Sequence, residues 1–455
     1  MSNIPSTQLF PSRTHPSDRI RLCGVQDQPG FGPLTAVPHP DKAISQRATI
    51  VAAAGHGVSR LSNLADCRDL LRNLDCLADL GVNIRPIGDD AVEIQGQGPE
   101  AVTSTSLTVD VDNSATTARL LTAMVAASDA DVTITGNTAL RRRPMAEVVG
   151  PLHALGADIV DIGPNGHLPI QVRGRPLPGG SARIDVHSAQ PVSAALLAAA
   201  LAQGPSVIHR RVAARDHTER LLRWVGVEVE ETPLTLHVQP RAWGPLSLRI
   251  PGDPSGAAFL AAVHLASAHR ERPLVLREVC INSRRTGFFR ILRSMGAEVD
   301  FSAVDHDTPE ELANITIRAA DQLRGVHIDD PELVQSAIDE LPMIAALATL
   351  ANGETRIGQA SELRGKDTDR IVTTVELLRQ FGVQARPTMD GLHVRPTPIQ
   401  APAILQLPRD HRVIFAGIVL TVLTGGYGEL HGLEAVATSY PNAINELRRW
   451  VVVEE

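Results

Sequence analysis

The sequence is short of the features that mark several protein classes. Its 455 residues hold four cysteines, Cys23, Cys67, Cys76 and Cys280, too few and too scattered for a disulfide framework. None shows the spacing of a metal site, so they read as reduced, partly buried thiols of a cytoplasmic protein. Aromatic residues make up 3%, which leaves the core to Ala, Val, Leu and Ile. The longest apolar runs, Val192–Ala202 and Val413–Leu423, fall well below the roughly 20 residues that cross a bilayer. No cationic leader precedes an apolar stretch, so a secretory signal is not expected. Lys and Arg number 43 against 51 Asp and Glu, a net charge of -8. That balance argues against a protein that coats nucleic acid, and any anionic ligand needs a local cluster of cations.

What the chain does have is a repeat. An amphipathic run, a Gly, a small apolar residue and a strand recur as CLADLGVNI, LHALGADIV, LLRWVGVEVE, LRSMGAEVD and LLRQFGVQA, with glycines at 81, 156, 226, 296 and 382. A sixth copy, LRRWVVVEE, lacks the glycine. Each marker predicts a helix ended by a left-handed Gly that hands the chain to a strand. Strand-like stretches such as SLTVDV, DVTIT, SLRI and PLVLREV lie between them, with Ala-rich helix patterns such as SAALLAAALA. The fold class is therefore α/β (α+β), in repeats too long for a solenoid. Six copies point to two lobes of three. The Pro-Gly-Asp-Pro segment at 251–254 and the segment near 39–45 are the crossing points. The expected division is residues 39–249 for one lobe, and 1–38 with 250–455 for the other. Residues 1–38, rich in Pro, Ser and Gly, read as an irregular extension leading into one strand.

Six short segments carry chemistry. VDVDNSATTARLL (109–121) runs a strand into an Asn/Ser/Thr turn and a helix bearing Arg119, which is either a plain N-cap or an anion site. ITGNTALRRRPM (134–145) has three consecutive arginines, and ARDHTER (214–220) is a charged cluster ahead of a helix. IDELP (338–342) sets two carboxylates at the mouth of an Ala-rich helix, where the macrodipole favours them. ELRGKDTDR (362–370) is followed by PRDHR (408–412). Each alone is ambiguous.

In this order and spacing the segments resemble the enolpyruvyl transferase family, and within it the EPSP synthases, over about residues 38–445. Lys42 to Arg47 is similar to the pattern K-S-x-S-N-R, and Asp112 to Arg119 to G-N-[AS]-[GA]-T-x-x-R. Thr135-Gly136 through Arg143-Pro144, Ser188-Ala189-Gln190 and Arg215 to Glu219 follow further family elements. So do Pro251 to Ala257, Asp339, Lys366 to Arg370 and Asp410 to Arg412. The resemblance implies a two-lobed inside-out α/β barrel, each lobe of three βαβαββ repeats, that closes on two anionic substrates. It also implies transfer of the enolpyruvyl group of phosphoenolpyruvate to a hydroxyl of a phosphorylated acceptor, by addition and then loss of phosphate. Lys42, Asn113, Thr116, Arg143, Gln190, Arg370 and Arg412 would hold phosphoenolpyruvate, since forked guanidiniums grip phosphate and carboxylate bidentately. Arg47, Ser188, Ala189, Arg215, Asp339 and Lys366 would hold the acceptor. Asp339, Lys366, Asp367 and Lys42 would supply the acid and base. Asp69 aligns with a family aspartate near the hinge. No metal or cofactor is implied, and the expected state is a monomer or weak oligomer without nucleic-acid or membrane partners.

The departures fall mostly on the acceptor side. Ala43 stands where the family has a Ser, Asp112 where it has a Gly, Asp367 where it has a Glu, and Thr438 where some members have a Lys. The acceptor is therefore either shikimate 3-phosphate or another phosphorylated alcohol, such as the UMP 3′-hydroxyl used in nikkomycin- and polyoxin-type antibiotic biosynthesis. Ala115, in place of Gly, would push a methyl into the phosphoenolpyruvate pocket, as in the glyphosate-insensitive branch. UDP-N-acetylglucosamine enolpyruvyl transferases share the fold but carry a Cys or Asp in the loop matching 134–145. A catalytically dead binding protein would have no reason to keep Lys42, Arg143, Asp339, Lys366, Arg370 and Arg412 together.

Overall fold

The protein was analysed as a computed structural model that describes residues 17–26, 32–99, 102, 105–161 and 163–455. Parts of the expected N-terminal extension, 1–16 and 27–31, lie outside the described residues. The chain divides into two compact units at Asp41/Lys42 and Ile250/Pro251. One unit is Lys42–Ile250; the other joins the segment ending at Asp41 to Pro251–Glu455.

The units are built from one repeated piece. Strand Thr105–Asp110 leads to helix Ala115–Ala126, strand Asp131–Thr135 and helix Ala146–Ala154, then to the two strands Asp158–Asp161 and Ile170–Arg173. Thr105–Asp110 pairs parallel with Asp131–Thr135, which pairs antiparallel with Ile170–Arg173, and that strand pairs antiparallel with Asp158–Asp161. Among the described residues all six four-stranded sheets repeat this one parallel and two antiparallel pairings, three sheets to a unit. Burial alternates along the strands, as in Ile170–Arg173, so each sheet packs one face on helices. The expected Gly stops are present: Gly81, Gly156, Gly226, Gly296 and Gly382 have φ of 95°, 98°, 89°, 106° and 79°. At those angles a Cβ costs roughly 1–2 kcal/mol, which is why glycine recurs there.

Three sheets borrow a strand from a distant part of the chain. Ser247–Arg249 pairs parallel with His56–Ser62, and Leu34–Ala36 pairs parallel with Leu274–Cys280. Arg19–Val25 lies antiparallel between Tyr427–His431 and Val451–Glu454. The described part of the N-terminal segment thus forms two strands rather than the one expected. The sixth repeat's own sequence supplies three strands to its sheet, and Arg19–Val25 is the fourth, with Ile20 and Leu22 buried on its inward face. The first helix of each repeat is nearly all buried, and in the second unit Pro254–Ala266, Leu341–Leu347 and His411–Leu423 pack on one another. Small Ala side chains allow that close packing without many aromatics. All four cysteines are free thiols; Cys67, Cys76 and Cys280 are buried.

Both crossing segments of the chain are fastened inside the second unit. Asp41 N–H donates to the Pro251 carbonyl at 2.7 Å and Asp253 N–H to the His39 carbonyl at 2.8 Å. Arg285, with a side chain only 2% exposed, donates to Asp41 Oδ2 at 3.2 Å, Asp253 Oδ1 at 2.9 Å and Ser255 Oγ at 3.1 Å. Burial alone would push the Asp253 carboxyl up; the Arg285 and Arg412 charges outweigh it and hold it below the usual range. Removing Arg285 leaves two buried carboxylates without their counterion, so Arg285→Met is expected to destabilise the protein by about 3–5 kcal/mol at neutral pH. The stability that depressed Asp253 contributes is present above the ordinary carboxylate pKa and lost as pH falls through its lowered value. In the variant the stranded carboxylates take up protons at higher pH than in the unfolded chain. The difference in thermal midpoint between wild type and variant should therefore narrow from about pH 7.5 to about pH 4.5; a constant difference contradicts the assignment.

Candidate active site

In the first unit the candidate residues gather at helix starts. Lys42 opens helix Lys42–Ala54, and its Nζ pairs with Asp69 Oδ2 at 3.0 Å. Arg47, one turn on, is buried; its guanidinium donates to Thr218 Oγ1 at 3.0 Å, Ser193 Oγ at 3.2 Å and the Ala43 carbonyl at 3.1 Å. At least three of its five N–H groups are thus already used within the unit.

The turn ahead of helix Ala115–Ala126 sorts its polar groups by face. Ser114 and Thr117 bond each other at 2.7 Å, and both accept from Gln46 Nε2, at 2.8 and 3.1 Å. With those hydroxyls turned inward, Asn113 and Thr116 are left half-buried on the other side. Thr116 Oγ1 accepts from Gln190 Nε2 at 3.0 Å, and Arg119 donates to Gln190 Oε1. Gln190 is therefore oriented from both ends. Ser188 caps helix Ala189–Ala200, its side chain accepting from the Gln190 N–H, and Ala189 is that helix's first residue. Of the three consecutive arginines, Arg141 and Arg142 are exposed, and Arg143 is half-buried just after a 3-10 turn, Leu140–Arg142. Arg215 is half-buried, and Asp216 after it is the N-cap residue of helix His217–Trp224.

In the second unit Arg370, Arg412, Asp339 and Asp367 belong to one ionic network. Arg370 is the first residue of helix Arg370–Gln380, and its guanidinium meets three carboxylates: Asp410 Oδ2 at 2.8 Å, Asp339 Oδ1 at 3.0 Å and Asp367 Oδ2 at 3.8 Å. Arg412 Nη2 approaches the other oxygen of Asp339 at 3.9 Å. Asp410 also caps helix His411–Leu423, accepting from the Arg412 N–H at 3.0 Å. Burial would raise the Asp410 carboxyl, but Arg370 outweighs it and holds it below the usual range. Lys366 Nζ pairs with Glu362 Oε1 at 2.5 Å. Burial would likewise raise Glu362, and the Lys366 ammonium brings it below normal.

Glu362, Gln46 and Asn137 were passed over in reading the sequence. Glu362 stands four residues before Lys366, a helical pairing distance that could have flagged it. Gln46 and Asn137 carry no such local signal. Among the described residues one group, Asp367, Asp410 and His411, has the spacing to hold a metal ion. Arg370 already faces both of its carboxylates, so a cation is built into that position.

A family profile described as EPSP synthase (3-phosphoshikimate 1-carboxyvinyltransferase) matches residues 35–447. The 3-phosphoshikimate 1-carboxyvinyltransferase of Chloroflexus aggregans is 37% identical over 427 residues, covering 93% of this chain and 95% of that protein. The one from Lactiplantibacillus plantarum is 37% identical over 440 residues, covering 94% and 99%. The solved EPSP synthase of Acinetobacter baumannii superposes with a TM-score of 0.83 at 29% identity, over 96% of this chain and 100% of that one. The enolpyruvyl transferase NikO of Streptomyces tendae gives 0.74 at 16% identity, over 96% and 98%, and shares the fold. That fold is the two-lobed inside-out α/β architecture that the family resemblance implied. Matched over nearly its whole length by the profile and by these relatives, the chain belongs to the EPSP synthase family.

Proposed function

We propose that the chain is a transferase that moves the enolpyruvyl group of phosphoenolpyruvate onto a hydroxyl of shikimate 3-phosphate. The observation that carries the reading is the gathering of Arg370 and Arg412 on the two oxygens of Asp339. A carboxylate held between two guanidiniums is a general base beside a built anion site. On this reading phosphoenolpyruvate, with about three negative charges, draws the guanidiniums of Arg370 and Arg412 onto its own oxygens. Asp339 is then free to take the acceptor's hydroxyl proton. The acceptor oxygen bonds to C2 as C3 takes a proton, which Lys366, Lys42 or Asp367 supplies. Breaking the C2–O bond then expels phosphate, and C3 gives its proton back to restore the double bond.

Arg143, Gln190, Asn113 and Thr116 of the first unit complete the donor site in this proposal, with Lys42. Arg47, Ser188, Ala189 and Arg215 hold the acceptor. The 37% identity to 3-phosphoshikimate 1-carboxyvinyltransferases over 93% of the chain supports shikimate 3-phosphate as that acceptor. The proposal includes a cytoplasmic setting, a monomer or weak oligomer, and no nucleic-acid partner, in keeping with the net charge of -8. No helix among the described residues is long and apolar enough to cross a membrane.

The direct test is phosphate release from phosphoenolpyruvate, with shikimate 3-phosphate and UMP offered separately. Turnover with the first and none with the second is expected; the reverse would replace the acceptor and keep the chemistry. Asp339→Ala and Lys366→Ala should each lower kcat by about 10²–10⁴ with the fold intact by circular dichroism. Near-normal kcat in either variant removes that residue from the mechanism.

A separate expectation concerns glyphosate, which in this family occupies the phosphoenolpyruvate site. Ala115 is the first residue of its helix and is buried, so its methyl takes up room beside Thr116. One methyl too many costs about 1–3 kcal/mol, so the wild type should need about tenfold or more glyphosate than Ala115→Gly for half-inhibition. Equal inhibition of the two would show that the methyl does not face the inhibitor.

A further inference from the structure

Asp112 stands where the family pattern has Gly, and it places a carboxylate next to a turn expected to bind anions. Its backbone explains the first fact. Asp112 has φ +51°, a left-handed conformation that Gly adopts freely and that Asp and Asn tolerate better than other residues. Glycine would be the unstrained choice, so the side chain needs a use.

It has one. Asp112 Oδ1 accepts from Asn137 Nδ2 at 3.0 Å, and the Asp112 carbonyl accepts from the Asn137 N–H at 2.9 Å. Asn137 Oδ1 in turn accepts from the N–H groups of Ala139 and Leu140, at 3.1 and 3.0 Å. Those bonds cap the 3-10 turn Leu140–Arg142, whose first carbonyl takes the Arg143 N–H at 2.9 Å. The two segments lie close enough that a Cβ on Gly136 would meet the Asp112 carbonyl at 2.7 Å. On the other side, the Asp112 N–H is held by Asp110 Oδ1 at 2.8 Å. An unbroken series of hydrogen bonds thus runs from the end of strand Thr105–Asp110 to the backbone of Arg143.

We infer that Asp112 is a positioning residue: through Asn137 it fixes the loop bearing Arg143 against the turn bearing Asn113 and Thr116. It sets the spacing between two parts of the donor site, so its loss falls on phosphoenolpyruvate rather than on the acceptor. The inference rests on the donor-site reading above. A carboxylate that merely sat near the site would act in the opposite sense, by repelling the anion.

Three variants separate these roles. Asp112→Gly keeps the left-handed backbone and removes the brace, Asp112→Asn keeps an acceptor without the charge, and Asn137→Ala removes the other partner. Hydrogen bonds to charged groups are worth about a tenfold factor or more. Asp112→Gly and Asn137→Ala should therefore each raise the KM for phosphoenolpyruvate about tenfold and leave that for shikimate 3-phosphate within about twofold. The double variant should lose little more than either single one. Asp112→Asn should stay near wild type. A lower KM for phosphoenolpyruvate in both Asp112 variants overturns the inference in favour of simple repulsion. An equal rise in both KM values overturns it in favour of general loosening. Amide hydrogen exchange at Ala139 and Leu140 reads the brace without any activity, and should quicken in Asp112→Gly; unchanged exchange also overturns the inference. A wild type that never consumes phosphoenolpyruvate would count against the proposed function, while exchange would still decide whether the brace exists.

Discussion

One buried guanidinium holds both points at which the chain leaves and re-enters the second unit. Arg285 sits between Asp41, the last residue before the first crossing, and Asp253, which follows the second. The two crossing segments run side by side through the Pro40–Gly252 bridge and are tied to the sheet by Gly252 N–H on the Glu278 carbonyl. Lys42 and helix Lys42–Ala54 begin directly after Asp41, and helix Pro254–Ala266 begins directly after Asp253. A buried guanidinium such as that of Arg285 costs several kcal/mol to desolvate, and the cost is offset here by two carboxylates and the Ser255 hydroxyl on its Nη groups.

The same economy of charge governs the second-unit site. Arg370 and Arg412 face Asp339, Asp367 and Asp410, so without ligand the cations are occupied and the cluster carries no positive surplus. This reconciles an acidic protein with an anionic substrate. The guanidiniums are kept charged and oriented by carboxylates, and Asp339 is shared between two of them. Asp410 is committed elsewhere as well, since it caps a helix and accepts from Thr368. Lys366 is balanced separately by Glu362, so the proposed acid is paired without drawing on the arginines.

The repeat was legible because its marker is local: a left-handed glycine after an amphipathic turn leaves a trace in any single copy. The strand exchanges were not, because pairing Arg19–Val25 with Tyr427–His431 or Ser247–Arg249 with His56–Ser62 depends on contacts between residues far apart in the chain. Short segments of three residues, such as Leu34–Ala36, carry too little alternation to announce a strand. Within the site, residue types were readable from motif order, but their partners were not. The turn ahead of Arg119 read either as a plain N-cap or as an anion site, and the bond from Arg119 to Gln190 was not visible in it. Asp112 looked like an electrostatic anomaly that hinted at another acceptor; its φ and its bond to Asn137 give it a local use.

The repeats also explain why the candidate residues lie where they do. In each copy the first helix is buried and apolar, and its free N–H groups and positive dipole end make the start of that helix a natural place for polar and anionic groups. Asn113, Ser188, Asp253, Asp339 and Asp410 all lie within two residues of such a start, and Lys42, a cation at the head of its helix, is balanced by Asp69. A cation recurs just ahead of, or at, the second helix: Arg143 before Ala146–Ala154, Arg215 before His217–Trp224, Arg285 before Gly287–Met295 and Arg370 at the head of Arg370–Gln380. Three of these four are candidate ligand-binding residues, half-buried or paired with the candidate base Asp339. The fourth, Arg285, occupies the equivalent slot in the repeat that begins at the crossing, and there its charge is consumed by Asp41 and Asp253. A position that elsewhere in the fold carries a candidate ligand-binding arginine holds, in that one copy, the chain where it crosses.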